Sequence, residues 1–535
     1  MNLTNFKYLF PVAALALTAG MSSCVGDLDV TPIDPSTTME VDEVGLYTKC
    51  YANMAMAGNT GANGDCDIDG LDGGTTGFVR QMWNANELTT DEAICCWGDP
   101  GIPQFNYNQW DASHPMLQGF YYRLYTGIAY CNHYLEACAG IDATRTAEVR
   151  FIRALYYYYL MDCYGSVPFT TITPTENPTQ ISRAGLFAWI ETELKSIIPA
   201  LLTPAARTSI DVGYGRADQD AANLLLARMY LNAEIYTGTP RWTDAKTYAE
   251  KVINGPHKLW ETGRNGWSAY QMLFMGDNGE SGASQEAILA IMQDGITTTS
   301  WGTTLFLMAS TWKSDMDVNG DYGTKEFWAG NRARSQLLHK FFPKDDAPEV
   351  SISEMVVAAG DDRALFHGLD RTLNVNKPGE FASGYSVGKF RNTYSTGATG
   401  HNSQFIDADF FIMRAAEAYL IAAEADLRED NMLSPTALGY INDLRGRASA
   451  APVSADNCTL DYILDERSRE LYYEGFRRTD LIRYGYYGGD NSGRYLWEWK
   501  GGVKNGQAFA ATRNIFALPA EDVNANPNLK QNPGY

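Results

Sequence analysis

Residues 148–168 read EVRFIRALYYYYLMDCYGSVP, and this stretch decides the class of fold. Its apolar side chains recur every three or four residues, as in an α-helix with one buried face; they are Val149, Ile152, Tyr156, Tyr159 and Cys163. Gly165 and Pro168 then end the pattern, because glycine and proline interrupt helical backbone. The stretch therefore predicts a long helix that packs in a protein core.

Two further periodic stretches follow along the chain. The first carries Ala222, Leu225, Leu226, Met229 and Ala233, and the second carries Ala245, Tyr248, Ala249 and Val252. Small side chains on both allow paired helices to approach closely. Such pairs resemble tetratricopeptide hairpins, although the sequence has no strict repeat of about 34 residues. Later helices are predicted at residues 411–427, 437–447 and 461–484.

The stretch from 257 to 405 has a different character, because Gly, Ser, Thr, Asn and Trp dominate it and helical periodicity is rare. Residues 59–77 are similarly rich in Gly and Asp. Long irregular segments on a helical scaffold are where binding sites usually lie. The sequence thus predicts a mainly α fold: a tetratricopeptide-like helix-hairpin scaffold with a large loop-rich, partly β insert region that carries the ligand site.

Composition narrows the range of functions. The chain has 535 residues, and 42 Lys and Arg against 64 Asp and Glu give a net charge of −22. An acidic chain is a poor match for nucleic acid, an anionic membrane surface or a polyanionic substrate, because clustered basic residues bind all three. Aromatic residues are plentiful, with 12 Trp, 32 Tyr and 22 Phe, whereas only 6 His are present, which disfavours His-based or metal-dependent catalysis.

The first residues have the pattern of a secretory leader. The apolar stretch at residues 8–19 is too short to span a bilayer, since about 20 apolar residues are needed. Met21-Ser22-Ser23-Cys24 resembles the cleavage site of a bacterial lipoprotein, and the acidic segment 27–29 resembles a tag for export to the cell surface. We therefore expect a signal peptide at residues 1–23 and a lipid on Cys24. The alternative is a chance cysteine after an ordinary signal peptide.

Five sequence blocks occur in an order that identifies a family. In chain order they are residues 148–168, 215–217, 413–420, 441–445 and 466–483, and a tail of matching type covers 518–535. This order resembles the SusD-like (RagB/SusD) outer-membrane lipoproteins and covers nearly the whole mature chain. Within that family the similarity is greatest to the starch-binding founding member; it is carried by residues 86–92, 293–295, 358–364 and 496–502.

The resemblance implies one SusD-like domain at residues 24–535. Its parts would be an N-terminal region with helical repeats at 24–256, the loop-rich region at 257–405, and C-terminal helices and tail at 406–535. It also implies a non-catalytic glycan-binding lipoprotein, held by its lipid in the outer membrane at the cell surface. Such a protein captures starch-like α-glucan or malto-oligosaccharide and delivers it to a SusC-like TonB-dependent transporter.

The resemblance further implies four glycan-binding residues: Arg80, Trp97, Trp301 and Trp328. In the starch-binding member an aromatic arc with an arginine cradles the glucan, and local alignment carries that arc onto these positions. One departure is Cys95, which stands where that member has a further aromatic residue. Independently of the resemblance, tryptophan rings in polar, irregular segments suit the apolar faces of sugars.

Other functions stay open on the residues alone. The ligand could be another neutral glycan such as a fructan, or the chain could be a glycoside hydrolase or a protein-binding helical scaffold. A hydrolase needs a pair of carboxylates, and Asp91 with Glu92 is one unspecific candidate. The motif Gly384-Tyr-Ser386-Val-Gly388 matches a nucleophile elbow, but no acid lies between Ser386 and the one later histidine, His401. A hydrolase triad is therefore rejected.

Residues 315–326 match the pattern of a calcium loop. Oxygen ligands recur at alternate positions around a turn glycine, as a hard cation requires; the residues are Asp315, Asp317, Asn319, Asp321 and the closing Glu326, with Gly320 at the turn. A bound calcium would order the backbone that carries Trp328, two residues after the closing acid. The alternative is a solvated acidic loop.

The predicted helix near the C-terminus is unusually charged. It carries Glu466, Arg467, Arg469, Glu470, Glu474, Arg477, Arg478 and Asp480. Because so many opposite charges are close in sequence, we expect a structural ion-pair network there and no catalytic site.

Overall fold

A computed structural model gives the fold of residues 41–62, 64, 66–316 and 322–535; the predicted signal peptide and Cys24 lie outside these described residues. Helices predominate. The α-helices are α1 (Glu43–Ala55), α2 (Gly73–Thr76), α3 (Phe78–Trp83), α4 (Ile102–Asn106), α5 (Pro115–Cys138), α6 (Ala143–Tyr164), α7 (Arg183–Ile197), α8 (Gln219–Leu231), α9 (Ala233–Thr237), α10 (Trp242–Ile253), α11 (Ala269–Met272), α12 (Thr304–Ala309), α13 (Ser335–His339), α14 (Ile352–Ala359), α15 (Ala415–Asp430), α16 (Pro435–Arg447), α17 (Leu460–Leu471), α18 (Arg477–Arg483) and α19 (Ala520–Ala525). The strands are β1 (Ala93–Cys95), β2 (Val167–Pro168), β3 (Gln180–Ile181), β4 (Ala287–Ile291), β5 (Asn331–Ala333), β6 (Phe366–His367), β7 (Ser386–Val387) and β8 (Phe410–Arg414).

Capping residues begin and end the long helices. The Asp142 side chain accepts a hydrogen bond from the backbone N–H of Arg145 at the start of α6. Ser182 likewise accepts from the backbone N–H of Gly185 at the start of α7, and such bonds satisfy donors that a helix end leaves free. Gly165 ends α6 with a positive φ of 74°, a conformation that favours glycine. The helix predicted from residue 148 onward is confirmed as the main part of α6.

Paired helices form the scaffold of residues 46–535, which pack as one unit. Helix α5 packs against α6, α6 against α7, α8 against α10, and α10 against α15. Ala245 and Ala249 of α10 are fully buried, so small side chains lie where these helices meet, as the sequence predicts. The mainly α class and the helix-pair scaffold are confirmed.

The strands are short and form antiparallel pairs. Strand β1 pairs with β5, β2 with β3, β4 with β8, and β6 with β7. The stretch 257–405, predicted as loop-rich and partly β, carries β4 to β7 and also the helices α11 to α14. Sequence reasoning missed these helices because each has eight residues or fewer, which is too short for a helical period to emerge.

A network of buried charges joins the loop-rich region to the C-terminal helices. We call it the arginine–glutamate network; its members are Glu286, Arg363, Arg414, Arg447, Glu466 and Glu470. Arg414 contacts both Glu286, at 2.9 Å, and Glu470, at 2.6 Å. Burial raises the pKa of Glu466, but Arg363 and two neighbouring arginines outweigh burial and lower that pKa to about 2. The predicted ion-pair network is confirmed.

The eight cysteines in the described residues form no disulfide, and most of them are buried. Cys131 and Cys138 of α5 are both almost fully buried, as small apolar side chains would be. The interpretation of most cysteines as small core residues is therefore confirmed. Across the described ranges, every helix is too short or too polar to cross a membrane.

Candidate functional site

Three tryptophans that are far apart in sequence meet in one open cleft. The Trp97 and Trp328 rings have centroids 6.5 Å apart, and the Trp328 and Trp301 centroids are 6.0 Å apart. Arg80 and Asp99 complete the lining of this cleft, whose volume is about 380 Å³. We call these five residues the tryptophan cleft. The structure thus brings together all four predicted glycan-binding residues, Arg80, Trp97, Trp301 and Trp328.

The pairing of β1 with β5 positions two of the tryptophans. Cys95 lies opposite Asn331, and the Cys96 N–H donates to the Gly330 carbonyl at 3.0 Å, so the chains stay paired as they leave the strands. Trp97 Nε1 then donates to the Trp328 carbonyl oxygen at 3.1 Å. The ring of Trp97 lies directly against Gly330, where a Cβ atom would approach the indole to 2.2 Å. Only glycine fits there without moving the ring.

Two further contacts hold the Trp328 ring. Its Nε1 donates to Glu326 Oε2 at 2.7 Å, and the other carboxylate oxygen of Glu326 accepts from Gln404 Nε2 at 2.9 Å. Its backbone N–H donates to the Ala309 carbonyl at the end of α12, at 2.8 Å. Because its indole N–H is already bonded, Trp328 offers the cleft its ring face and not a donor.

Trp301 lies just before α12, and its ring lies near that of Trp328. Its ring contacts Phe405, with centroids 4.8 Å apart. The next residue, Gly302, accepts a backbone hydrogen bond from Arg80 at 2.9 Å, which joins the Trp301 segment to α3. All three tryptophans are half-buried, as expected for side chains whose edges are held by protein while part of the ring meets solvent.

Arg80 is the cation of the cleft. Its guanidinium lies 5.8 Å from the Trp97 ring centroid and 5.0 Å from that of Phe306. Burial lowers the pKa of Arg80, and the nearby Asp72 and Asp99 partly offset this effect. Within the described ranges its buried Nε atom has no hydrogen-bond partner. A guanidinium stays charged at neutral pH, so the partly exposed Arg80 can donate to a ligand through its terminal nitrogens.

This arrangement suits an uncharged, polyhydroxylated ligand. Aromatic faces bury the apolar C–H faces of such a ligand, and a guanidinium and a carboxylate can bond its hydroxyls. Asp99 is the one carboxylate that lines the cleft among the residues the structure describes. Glycoside hydrolysis normally requires two carboxylates facing one bond, and the described cleft does not supply that pair.

The other candidates for chemistry lie in the core. Asp91 is fully buried and ion-paired with Arg477 and Lys340, both at 2.7 Å. Glu92 is 1% exposed and accepts a hydrogen bond from Ser468. Ser386 is also fully buried in β7 and donates to a backbone carbonyl. These side chains are structural, and neither the carboxylate pair nor the serine can reach a polysaccharide.

Cys95, the position of the missing arc aromatic, points into the core. It is 1% exposed, and burial raises the pKa of its thiol to about 12. The residue after it, Cys96, is half-buried and donates from Sγ to the Ala329 carbonyl. Neither cysteine lines the cleft, so the arc in this chain consists of three rings.

The calcium loop remains a prediction. Asp317, Asn319 and Asp321 lie outside the described residues. Of the other two predicted ligands, Asp315 is ion-paired with Lys313, and both oxygens of Glu326 accept hydrogen bonds from Trp328 and Gln404. Among the described residues, no cluster of His, Cys, Asp and Glu is arranged to hold a metal ion. Glu326 therefore contacts the cleft directly, whether or not an ion binds beside it.

Sequence reasoning missed three members of the site. Asp99 lines the cleft two residues after Trp97, Phe405 supports Trp301, and Phe306 supports Arg80. Asp99 is only two residues from Trp97 in sequence, and this closeness could have indicated that it lines the same cleft. Phe306 and Phe405 gave no such signal, because each reaches the site only through folding of the loop-rich region.

Comparison with known protein families finds matches along the whole chain. A model of the SusD family matches residues 266–535, and a model described as "Starch-binding associating with outer membrane" matches residues 35–231. The starch-binding protein SusD of Bacteroides thetaiotaomicron is 36% identical to this chain, and the match covers 100% of each. Together these matches span the predicted scaffold, the loop-rich region and the tail.

Solved structures share the fold. A SusD-like protein from Bacteroides fragilis superposes with a TM-score of 0.67 at 19% identity, covering 95% of this chain and 100% of that chain. A laminarin-binding SusD-like protein superposes with a TM-score of 0.66 at 20% identity, and the match covers 93% of this chain and 100% of that protein. At such identities the likeness concerns the fold alone.

Proposed function

The chain belongs to the SusD family, and on that premise we propose that it is a non-catalytic glycan receptor at the cell surface. It captures starch-like α-glucan or malto-oligosaccharide in the tryptophan cleft and delivers it to a SusC-like TonB-dependent transporter. Trp97, Trp301 and Trp328 stack on sugar faces, while Arg80 donates to sugar hydroxyls. Asp99 supplies the matching acceptor.

One observation carries the proposal: three tryptophan rings from separate segments converge with an arginine on one open cleft. Trp97 and Trp328 are held by hydrogen bonds of their indole N–H groups to protein oxygens. Their faces are therefore preorganised, and a ligand that stacks on them loses little affinity to ordering of the site. A cleft needed only for stability would instead pack these rings fully.

The choice of α-glucan rests on the relative that is 36% identical, a starch-binding protein. A curved arc of rings also suits a helical glucan better than a flat one. The laminarin-binding structure is too distant in sequence to indicate the glycan of this chain. Fructans and other neutral glycans are the alternatives that a binding panel resolves.

Affinity gels carrying amylose, laminarin, a fructan or no polysaccharide test the proposal. We expect retardation in amylose and unchanged mobility in the blank gel. Incubation with amylose should release no oligosaccharides. Retardation in none of the gels would contradict the receptor proposal, and released sugars that disappear on replacement of one carboxylate would indicate a hydrolase.

The cell-surface location depends on Cys24, which lies outside the described residues. Each buried CH₂ of an acyl chain contributes about 0.8 kcal/mol, and stable anchoring needs more than one chain, so a Cys24 that carries several acyl chains would hold the protein at the membrane. The Cys24→Ser variant should be found in the soluble fraction after cell lysis. If it fractionates with the outer membrane as the unaltered protein does, the lipid is not what retains it.

A further inference from the structure

A second concave site lies between α5, the segment 168–178 and the C-terminal segment 522–529. Its volume of about 690 Å³ exceeds that of the tryptophan cleft and lies within the range of small-molecule sites, roughly 300–1,000 Å³. Four tyrosines of α5 and one carboxylate of α19 define what we call the tyrosine groove: Tyr121, Tyr122, Tyr125, Tyr130 and Asp522. The groove shares no lining residue with the tryptophan cleft, so the two are separate sites.

Hydrogen bonds hold three of these tyrosine rings in place. Tyr125 donates to the Pro168 carbonyl at 2.6 Å, Tyr122 to Asp522 Oδ1 at 2.9 Å, and Tyr130 to Asp67 at 3.1 Å. Each of the three rings is half-buried. A ring tied at its hydroxyl loses rotational freedom and presents its face, as the indoles of the tryptophan cleft do. The groove therefore has rigid aromatic platforms of its own.

The base of the groove has hydrogen-bonding capacity that the protein leaves unused. Tyr121 is 1% exposed, and its hydroxyl makes no hydrogen bond of normal geometry among the described residues. It lies close enough to Asp522 and Tyr125 to interact with both, and Asp522 Oδ1 already accepts from Tyr122. A buried hydroxyl without a well-formed hydrogen bond destabilises the protein. A ligand hydroxyl between Tyr121 and Asp522 would satisfy both groups.

We propose that the tyrosine groove is a second binding site for a neutral oligosaccharide. The class of ligand rests on the proposed function, whereas the location of the second site rests on the geometry of the groove itself. A fatty chain would offer no hydrogen bond to the Tyr121 hydroxyl, and the Asp522 carboxylate would repel an anionic ligand. A sugar has both the apolar faces that the rings accept and the hydroxyls that Tyr121 and Asp522 accept.

A second site changes how the protein holds a polymer. Two sites on one chain that bind one polysaccharide raise its apparent affinity, because the second contact is intramolecular once the first has formed. Short oligosaccharides cannot use this advantage when they reach only one site. The gain in affinity with chain length should therefore be greater than the tryptophan cleft alone gives.

Saturation-transfer NMR with maltoheptaose tests the proposal in a protein whose first site is removed. We expect the full-length mature Trp97→Ala variant to keep a measurable transfer to the sugar. Adding Tyr121→Phe and Asp522→Asn should weaken this residual binding by about tenfold, because two hydrogen bonds to the ligand are lost or altered. A matched control replaces Tyr440 by Ala, since this half-buried tyrosine of α16 lines neither site.

Thermal unfolding separates a ligand role from a structural one. Tyr121→Phe removes a hydroxyl that makes no hydrogen bond of normal geometry, so its melting temperature should be close to that of the unaltered protein. A large fall in melting temperature would show that Tyr121 is structural and would overturn its role at the site. Asp522→Asn retains an acceptor for Tyr122 and should also stay folded.

The outcomes separate this proposal from the proposed function. If Trp97→Ala removes all transfer to maltoheptaose, the groove proposal is overturned while the receptor role of the cleft stands. If the groove variants remove binding and Trp97→Ala does not, the groove is the glycan site and the role of the cleft fails. If peptides bind the groove but maltoheptaose does not, the groove is a protein-docking surface and the proposal is wrong.

Discussion

The tryptophan cleft and the arginine–glutamate network use the same kinds of side chain in opposite ways. In the network, Arg414 is 1% exposed in its side chain and contacts two network glutamates at 2.6 and 2.9 Å. In the cleft, Arg80 lies beside aromatic rings and is only partly buried. A buried charge without a counter-ion is costly, so buried arginines that are ion-paired with glutamates belong to the fold. An arginine held beside rings at the edge of an open cleft is suited to a ligand.

The difference also explains why the family is easier to recognise than the ligand. Residues 466–483, among the blocks that carry the resemblance, hold several of the buried charges that define the scaffold. The tryptophans come from three irregular segments that the scaffold supports. Relatives can therefore share the network while their clefts differ. A substitution in one region should therefore change either stability or glycan binding and leave the other unchanged.

Acid should destabilise the fold through the buried carboxylates. Burial raises the pKa of Glu466 and Glu424, but their arginine partners outweigh burial and lower both to about 2, from 4.5. Because the folded pKa is depressed, the stability is present above about pH 4.5 and is lost as the pH falls toward about 2. Each shift corresponds to an energy on the order of 3 kcal/mol. Urea unfolding between about pH 6 and about pH 3 measures this loss, and an unchanged midpoint would contradict it.

Removing a network arginine should have the next largest effect. Arg414→Ala leaves buried glutamates without their partner, which should lower the free energy of unfolding by roughly 3–5 kcal/mol. The protein that remains folded should bind maltoheptaose with unchanged affinity, because no network residue lines the cleft. Urea unfolding measures the free energy of unfolding, and calorimetry on the folded fraction measures the affinity for maltoheptaose. Lost glycan affinity at full stability would place Arg414 in the binding machinery.

Trp97→Ala should lower glycan affinity and leave stability unchanged, the reverse of Arg414→Ala. Loss of a central stacking ring should weaken maltoheptaose binding in the cleft by roughly 2–4 kcal/mol, while the melting temperature changes little. Trp242→Ala is a matched control, because Trp242 is a half-buried tryptophan of α10 outside the cleft. Calorimetry and thermal unfolding of both variants give the comparison. A collapse of stability in Trp97→Ala, with affinity unaltered in the surviving protein, would make Trp97 a core residue.

Glu326 should have the smallest effect, because it acts on one ring only. Glu326→Ala frees the Trp328 indole and should lower affinity by about tenfold, or 1.4 kcal/mol. Glu326→Gln keeps one acceptor and should lose less. Chelation by EDTA distinguishes the predicted calcium loop: an equal tenfold loss with EDTA supports a bound ion, whereas no loss and no calcium by elemental analysis rule it out.

Much of the fold follows from local patterns. The helical period around Tyr156 and the stop at Gly165 are properties of neighbouring residues, so α6 is predictable from the sequence. The charged segment from Glu466 likewise predicts ion pairs, since its charges cannot all face solvent on a helix that packs. The short helices of the loop-rich region were missed, because tertiary contacts stabilise them and a periodic pattern does not.

The site was only partly predictable. Resemblance to the family gave Arg80 and the three tryptophans, and the structure brings them to one cleft. Sequence spacing could not give the Trp97–Gly330 contact, which joins segments more than two hundred residues apart through the β1–β5 pair. Sequence spacing also gave no sign of the Glu326–Trp328 hydrogen bond, because the acidic loop pattern indicates a metal ligand at Glu326 and says nothing of its contact with the ring.

A crystal structure with maltoheptaose bound would show directly whether the tryptophan cleft is the glycan site. We expect sugar rings stacked on Trp97, Trp301 and Trp328, with a sugar hydroxyl hydrogen-bonded to the Arg80 guanidinium. Sugar bound elsewhere on the protein at saturating concentration, with the tryptophan cleft left open, would contradict it.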